Sequence, residues 1–198
     1  KDPVAFRLEH MQDPREKEVL KAAAEKIGWD RAAPAKHKGN GKGKVMVGRG
    51  LSVHSGYQSY AAVACEVEVH RDTGRIHLRR VVVATDCGLI VNPVGLQATM
   101  EGQIMQGISR ALYEEVHFNE REVTSTDWAS YRIARLEDVP GKVELVMINR
   151  PDQVIGGAGE PAIVCFPSAI ANAVFNATGV RIRRYPMTPE RVKKALVV

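Results

Sequence analysis

Apolar residues recur at helical spacing in several parts of the chain. The stretch between Asp13 and Gly28 has an apolar and a charged face, and its flanking residues are types that often begin and end helices. In "NPVGLQATMEGQIMQGISRALYEEV" an apolar side chain returns every fourth residue, which predicts a long helix capped by Asn92. Two further helices are predicted, near residues 161–178 and after Thr188.

From residue 45 the apolar pattern changes to alternation, which is typical of β-strands. Two alternating arms, "SYAAVACEVEVH" and "RIHLRRVVVATD", flank a hairpin turn at Asp72, Thr73 and Gly74, and this hairpin is predicted to place His70 opposite His77. The run "VVVAT" predicts a strand end that is covered on both faces. Further strands are predicted in "VMVGRGLSVHS", "KVELVMI" and "RIRRYPM". The first arm has two faces: Val63, Cys65, Val67 and Val69 on one, and Ala62, Ala64, Glu66 and Glu68 on the other.

These elements indicate an α+β fold, because helices and strands are both present without a regular strand–helix–strand alternation. With 198 residues, 44% of them apolar, the chain can bury a sizeable core, and it has no apolar run long enough to cross a bilayer. We expect a helical lead-in over residues 1–33, a basic glycine- and lysine-rich loop over 34–44, and an α+β core over 45–198.

The basic loop, "PAKHKGNGKGK", raises the question of nucleic acid as a partner. The formal net charge is +5, but 23 acidic residues are spread through the chain, so the surface is only mildly basic. The loop also lacks the aromatic residues that stack on bases, which favours a solvated connection over a nucleic-acid site. A nucleic-acid site would depend on four lysines: Lys36, Lys38, Lys42 and Lys44.

The cysteines and the hairpin histidines are poor candidates for a metal site. Cys65, Cys87 and Cys165 are far apart in the sequence and include no closely spaced metal-binding pair. No third ligand accompanies the two histidines. We therefore expect buried, reduced thiols and no metal bound by these residues.

The glycine-rich stretch "IGGAGEPA" contains the strongest candidate for chemistry, Glu160. Its spacing fits neither a P-loop, which needs a lysine after the last glycine, nor a dinucleotide fingerprint, which needs a third spaced glycine. The pattern instead predicts a loop that approaches a ligand closely and delivers Glu160 to a helix opened by Pro161. A carboxylate fixed there can act as a general base or can simply cap the helix, and the residues alone leave both roles open.

Two groups of motifs are more specific than the glycine pattern alone. They are "TDCGLIVNP" with "EGQIMQG", and "GGAGEPA" with "AIANAVFNATG". Together with the opening "KDPVAFRLEH", they resemble the C-terminal part of the molybdopterin-binding large subunit of the xanthine dehydrogenase and aldehyde oxidase family. The stretches "RGLSVHSGYQSYAAVACEVEV" and "RALYEEV" are most like the isoquinoline 1-oxidoreductase beta-subunit type. This resemblance covers essentially the whole chain and implies the second half of a molybdenum cofactor-binding domain, with a mixed sheet and packed helices.

The resemblance also implies an activity and a role for Glu160. In this family the carboxylate at that position accepts a proton as water-derived oxygen is added to an aldehyde or an N-heterocyclic aromatic substrate, which favours the general base over the cap. The family commonly has a glutamine where this chain has Thr99. The implied cofactor-binding residues are Gly156, Gly157, Ala158, Gly159, Gln97, Thr99, Gln103 and Gln106.

By the same resemblance, the expected cofactor is molybdenum-molybdopterin in its cytosine dinucleotide form. The expected partners are the small-molecule substrate, the remainder of the large subunit, a small subunit with [2Fe-2S] clusters, and a flavin or cytochrome electron acceptor. Because the sequence starts at Lys1 without an initiator methionine, we expect a piece of a longer subunit. The resemblance implies that loops holding much of the cofactor belong to the preceding half of that subunit, so we expect the isolated piece to be inactive. The alternative is a non-catalytic structural or assembly domain. The implied location is cytoplasmic, with a periplasmic or membrane-associated one as the alternative.

Overall fold

A four-stranded sheet organises the chain in the computed structural model, which describes residues 1–29 and 44–197. Most of the basic loop therefore lies outside the described residues, including Lys36, Lys38 and Lys42. The elements in chain order are α1 (Pro3–His10), α2 (Pro14–Ile27), β1 (Val45–Gly56), β2 (Ser59–His70), β3 (Ile76–Asp86), α3 (Pro93–Leu112), β4 (Lys142–Met147), α4 (Phe166–Thr178) and α5 (Pro189–Leu196). Two short 3-10 helices cover Leu136–Asp138 and Ile163–Cys165.

The sheet is mixed, with the strand order β1-β2-β3-β4. The first three strands are antiparallel neighbours, whereas β4 runs parallel to β3. Because parallel neighbours need a crossover connection, α3 and the irregular segment after it carry the chain from β3 to β4. This arrangement confirms the α+β class and the mixed sheet.

Each face of the sheet is covered by helices. On one face, α2 packs against Ala62, Ala64 and Val82. On the other face, α3 and α4 pack against the row that includes Val63 and Cys65. The predicted two faces of β2 are therefore confirmed. The apolar end of β3 is buried on both sides, as the run "VVVAT" predicts.

Side-chain caps begin three of the helices at the predicted residues. The Asp13 carboxylate accepts a hydrogen bond from the Arg15 N–H at 2.8 Å, and the Asn92 side chain accepts one from the Gly95 N–H at 2.9 Å. Thr188 caps α5, which has a proline in its first turn. These caps are local in sequence, which is why the pattern alone locates them.

Helix α4 begins later than the sequence predicts. The expected helix starts at Pro161, but the structure has a 3-10 turn over Ile163–Cys165 and an α-helix only from Phe166. Pro167 explains the difference, because it has no N–H to donate to the Ile163 carbonyl and so belongs in the first turn of an α-helix. Glu160 therefore precedes a single 3-10 turn and does not lie at the N-terminus of α4.

Two other predictions are wrong. His70 does not lie opposite His77, because the turn after His70 places it opposite Arg75, while His77 pairs with Glu68. Residues 181–187 form no strand. Instead the Arg181 guanidinium stacks over the ring of Phe175 in α4, so this segment lies along a helix instead of beside a strand.

The three cysteines are buried free thiols, as predicted. Burial raises the pKa of Cys65 and of Cys165 to about 12, so both remain protonated at neutral pH. Within residues 1–29 and 44–197 no group of three or more His, Cys, Asp or Glu side chains is placed to hold a metal ion. Over the same residues, no helix has the length and apolar character needed to cross a membrane.

Close packing of α4 on β1 fixes the position of the chain just after Glu160. A Cβ atom at Gly50 would lie 2.2 Å from the Ala169 carbonyl oxygen and 2.3 Å from the Ala173 nitrogen. Only glycine permits this approach of helix to strand. The segment between β4 and α4 is therefore held at its C-terminal end by a rigid helix–sheet contact.

Candidate active site

Residues 156–162, which we call the Glu160 loop, cross one end of the sheet between β4 and α4. The Gly156 N–H donates to the Cys87 carbonyl at 2.9 Å, and the Gly157 N–H donates to the Tyr57 carbonyl at 3.2 Å. The loop is thus attached both to the end of β3 and to the turn between β1 and β2. These attachments bring the "DCG" motif and the "GGAGEPA" motif together, although they lie far apart in sequence.

The turn beneath the loop is under local backbone strain. Tyr57 and Gln58 have φ angles of 53° and 61°, which non-glycine residues rarely adopt. A Cβ atom at Gly156 would lie 2.3 Å from Ser59 Oγ and 2.5 Å from the Gln58 carbonyl oxygen, so only glycine fits against this turn. Strain of this kind is common beside functional sites, where the surrounding structure maintains it.

Gln103 of α3 binds the Glu160 loop on both sides of the glutamate. Its Nε2 donates to the Ala158 carbonyl at 2.6 Å, and its Oε1 accepts from the Ala162 N–H at 2.9 Å. The Gln103 residue is only 2% exposed. Both ends of this predicted cofactor-binding side chain are therefore engaged within the chain, and its contact with the cofactor stays a prediction.

Glu160 itself is exposed between these two anchored residues. Its carboxylate makes no hydrogen bond or ion pair within residues 1–29 and 44–197, and its own carbonyl accepts from the Ile163 N–H at 3.0 Å. The carboxylate therefore does not cap the 3-10 turn. A Cβ atom at Gly159 would meet nothing within 4 Å, which leaves open space beside the glutamate.

Asp86 of the "DCG" motif anchors the region below the loop. Its fully buried carboxylate accepts from Arg15 at 2.5 and 3.0 Å, from Arg150 at 2.5 Å and from the Gly88 N–H at 3.1 Å. Arg150 also pairs with Glu18. Burial alone would raise the pKa of Asp86, but the hydrogen bonds from the two arginines outweigh it, and the pKa lies below its ordinary value. This cluster joins α2, β3 and the segment after β4.

The predicted cofactor residues on α3 fall on two sides of the helix. Thr99, Gly102 and Gln106 recur at spacings of three and four, so they share an exposed face next to Gln103. Gln97 is two residues from Thr99, a rotation of roughly 200°, so it lies on another side of the helix. There its amide donates to Glu101 at 2.8 Å. The structure thus groups Thr99 and Gln106 with Gln103, but not Gln97.

Two of the three glycines in α3, Gly102 and Gly107, have different surroundings. A Cβ atom at Gly107 would lie 2.5 Å from the buried ring of Phe166, so helix packing accounts for this glycine. A Cβ atom at Gly102 would meet nothing within 4 Å among the described residues. The low helix propensity of Gly102 is therefore not offset by any contact in this part of the chain.

We expect alanine at these two positions to change stability in opposite directions. Gly102→Ala should raise the free energy of unfolding by about 1 kcal/mol, the difference in helix propensity. Gly107→Ala should lower it, because overpacking against Phe166 costs roughly 1–3 kcal/mol and the ring cannot move into solvent. Urea denaturation of the two variants side by side is the measurement, and a gain in both would contradict the described packing.

Comparison with known proteins identifies the family. The family model described as "Molybdopterin cofactor-binding domain" matches residues 11–140, and the chain belongs to this family. The matched range includes the "DCG" motif and α3 but ends before Glu160. This match confirms the resemblance to the molybdopterin-binding subunits of the xanthine dehydrogenase and aldehyde oxidase family.

Curated relatives give the same result. One of the subunits of nicotinate dehydrogenase from Pseudomonas putida is 38% identical over 98% of this chain, and the beta chain of isoquinoline 1-oxidoreductase from Brevundimonas diminuta is 30% identical over 95%. This chain spans only 17% and 23% of the lengths of these two relatives. Its relatives are therefore much longer oxidoreductase subunits.

Solved structures share the fold. Aldehyde oxidoreductase from Desulfovibrio gigas matches 71% of this chain with a TM-score of 0.63 and 30% identity. Quinoline 2-oxidoreductase from Pseudomonas putida 86 matches 70% with a TM-score of 0.64 and 27% identity. The chain covers 16% and 19% of those two chains.

No sequence pattern indicates the two arginines that bind Asp86 or the contact between Gln103 and the loop. Arg15 and Arg150 are 71 and 64 positions from Asp86 in the sequence, so no local pattern connects them. One signal was available, because an aspartate that ends the buried half of a strand needs cationic partners. The wide separation of Gln103 from Ala158 and Ala162 left no comparable signal.

Proposed function

We propose that this chain forms part of the active site of a molybdenum hydroxylase that oxidises an aldehyde or a nitrogen heterocycle with oxygen derived from water. Its relatives include a nicotinate dehydrogenase, an isoquinoline 1-oxidoreductase and an aldehyde oxidoreductase. The observation that carries the proposal is the placement of Glu160. It is an exposed carboxylate without a partner among the described residues, and the loop that presents it is anchored on both sides.

The residues around Glu160 suit a bulky anionic cofactor. The N–H groups of Ala158 and Gly159 have no acceptor within residues 1–29 and 44–197, so they are available as donors to anionic groups. Open space at Gly159 and Gly102 allows a ligand to approach both backbones closely. The backbone of residues 156–159 and the side chains of Thr99 and Gln106 would hold the cofactor. Gln97 and Gln103, the other two predicted contacts, are instead hydrogen-bonded to Glu101 and to the Glu160 loop.

In this proposal Glu160 is the general base. When bound, the molybdenum cofactor supplies the two-electron acceptor for the oxidation. Glu160 takes the proton that water loses as its oxygen forms a bond to the substrate carbon. The C–H bond at that carbon breaks, its hydrogen is released as a proton, and its two electrons would pass to the acceptor that the cofactor supplies. A carboxylate that is free of competing ion pairs and fixed at a pocket wall is suited to this proton transfer.

The cofactor form and the partners are parts of the same proposal. We propose the cytosine dinucleotide form of molybdenum-molybdopterin, with electrons leaving through [2Fe-2S] clusters on a small subunit to a flavin or cytochrome acceptor. The remainder of the large subunit would complete the pocket, since this chain corresponds to less than a quarter of the nicotinate dehydrogenase and isoquinoline 1-oxidoreductase subunits. The isolated chain is then inactive.

Isotope labelling of the full-length enzyme tests the reaction class. With aldehydes or N-heterocyclic aromatic substrates in ¹⁸O-water, the product should carry ¹⁸O, and turnover should scale with bound molybdenum. Unlabelled product formed in ¹⁸O-water, or full turnover by enzyme without molybdenum, would contradict the proposed function.

A further inference from the structure

We infer that Gln103 is a positioning residue that holds the Glu160 carboxylate in its working place by binding the loop on either side of it. This inference rests on the proposed role of Glu160. It differs from the predicted role of Gln103 as a cofactor ligand, because here Gln103 acts through the loop.

The hydrogen bonds fix both the loop and the amide. Nε2 donates to the Ala158 carbonyl at 2.6 Å, and Oε1 accepts from the Ala162 N–H at 2.9 Å. A flipped amide would set donor against donor and acceptor against acceptor, so only one orientation satisfies both partners. Ala158 and Ala162 are each two positions from Glu160. The glutamate therefore lies at the middle of a five-residue segment of the Glu160 loop whose two ends are hydrogen-bonded to α3.

Burial makes this arrangement hard to replace. Ala162 is 0% exposed and Gln103 is 2% exposed, so water does not readily substitute for the lost bonds. α3 is itself fixed by a stripe of fully buried residues that includes Met100 and Ile104. The position of Glu160 is therefore fixed relative to α3, which is rigid. Without the bonds to Gln103, Gly157 and Gly159 would allow the Glu160 loop many conformations.

A glutamate at position 103 makes this role measurable as a function of pH. A neutral carboxyl group can accept from the Ala162 N–H and donate to the Ala158 carbonyl, whereas an ionised one sets an acceptor against that carbonyl. Glu160 is the one charged residue within the Glu160 loop, and the residues beside position 103 on α3, Thr99, Met100, Gln106 and Gly107, carry no charge. The nearby Glu160 carboxylate and the burial of position 103 both favour the neutral form of a glutamate there, so this form is retained at low pH.

The test compares Gln103→Glu, Gln103→Leu and the exposed control Gln12→Glu in the full-length enzyme, with kcat expressed per bound molybdenum. We expect Gln103→Leu to lose at least tenfold in kcat at every pH, with KM little changed. Gln103→Glu should be close to wild type at low pH and fall at least tenfold as the pH rises, and Gln12→Glu should follow the wild type throughout. In hydrogen exchange, the peptide of residues 156–165 should exchange at least tenfold faster in Gln103→Leu, while β3 is unchanged.

Double substitution separates this inference from the proposed function. If Gln103 acts through Glu160, adding Gln103→Leu to Glu160→Gln should lower kcat no further. Near-normal turnover by Glu160→Gln alone would overturn the proposed function. A large loss in Glu160→Gln with normal kcat and slow loop exchange in Gln103→Leu would overturn only the inference about Gln103. Loss of molybdenum from Gln103→Leu with unchanged loop exchange would also overturn it, since Gln103 would then be a direct cofactor ligand.

Discussion

Glu160→Gln in the full-length enzyme should lower kcat by about 10²–10⁴-fold, the range that a positioned general base contributes. The amide has nearly the same size as the carboxylate but cannot take up a proton. Folding and molybdenum content should not change, because the carboxylate is exposed and has no partner among the described residues. The measurements are kcat and the rate at which substrate reduces the enzyme in a single turnover, both expressed per bound molybdenum.

Glu120→Gln is the matched control, since Glu120 is another exposed glutamate in an irregular segment of the chain. It should leave the reduction rate within about twofold of the wild type, as expected for a surface substitution away from the site. A Glu160→Gln enzyme that keeps a rate close to that of Glu120→Gln would remove the proposed role of Glu160.

Asp86→Ala should lower the free energy of unfolding by about 3 kcal/mol, because removing one partner of a buried ionic cluster leaves the opposite charges uncompensated. The expected loss lies at the lower end of the usual range, since Arg15 and Arg150 keep some solvent exposure and Arg150 keeps Glu18. Urea denaturation measures the change. Glu9→Ala breaks an exposed ion pair with Lys1 and should cost less than about 1 kcal/mol.

The effect of Asp86 should also depend on pH in one direction. Its pKa in the folded chain lies below the ordinary value of 3.8, so it stabilises the fold above that pH. The stabilisation is lost as the pH falls through the lowered pKa. Asp86→Asn should therefore reduce stability at neutral pH and make it less sensitive to acid. Equal acid sensitivity in the variant and the wild type would show that Asp86 is not the titrating group.

Local signals in the sequence located most of the elements correctly. Asp13, Asn92 and Thr188 each cap a helix through a contact with a residue two or three positions away. The alternation of residues along β2 likewise predicts which side chains face α2 and which face α3 and α4, because successive side chains of a strand point to opposite faces. Such features need no knowledge of the tertiary structure, which is why they were predictable.

The predicted start of α4 and the predicted register of the β2–β3 hairpin were wrong because a local constraint overrides the apolar pattern. The apolar periodicity of α4 continues back to Pro161. The α-helix nevertheless begins only at Phe166, because Pro167 has to lie in its first turn. In the β2–β3 hairpin, the number of turn residues sets the register, and the expected His70–His77 pair was wrong for that reason. Both corrections have a local cause: the missing N–H of Pro167 in the first case and the length of the hairpin turn in the second.

Sequence motifs point to the residues of the candidate site but not to its geometry. The motif around Glu160 identified the loop, and the "DCG" motif identified its neighbour at the end of β3. The hydrogen bond that joins the two motifs, from the Gly156 N–H to the Cys87 carbonyl, and the bond from Gln103 to Ala158, 55 positions apart, both connect residues that are distant in the sequence. Contacts of this kind depend on the assembled fold, so a sequence pattern cannot supply them.

A structure of the full-length enzyme with its molybdenum cofactor and a substrate analogue tests the role of Glu160 most directly. We predict that a carboxylate oxygen of Glu160 lies inside the substrate cavity, within about 2.6–3.2 Å of the place where the water-derived oxygen joins the substrate carbon. A Glu160 carboxylate on the outer surface of the assembled enzyme, turned away from any cavity, would contradict the proposed mechanism.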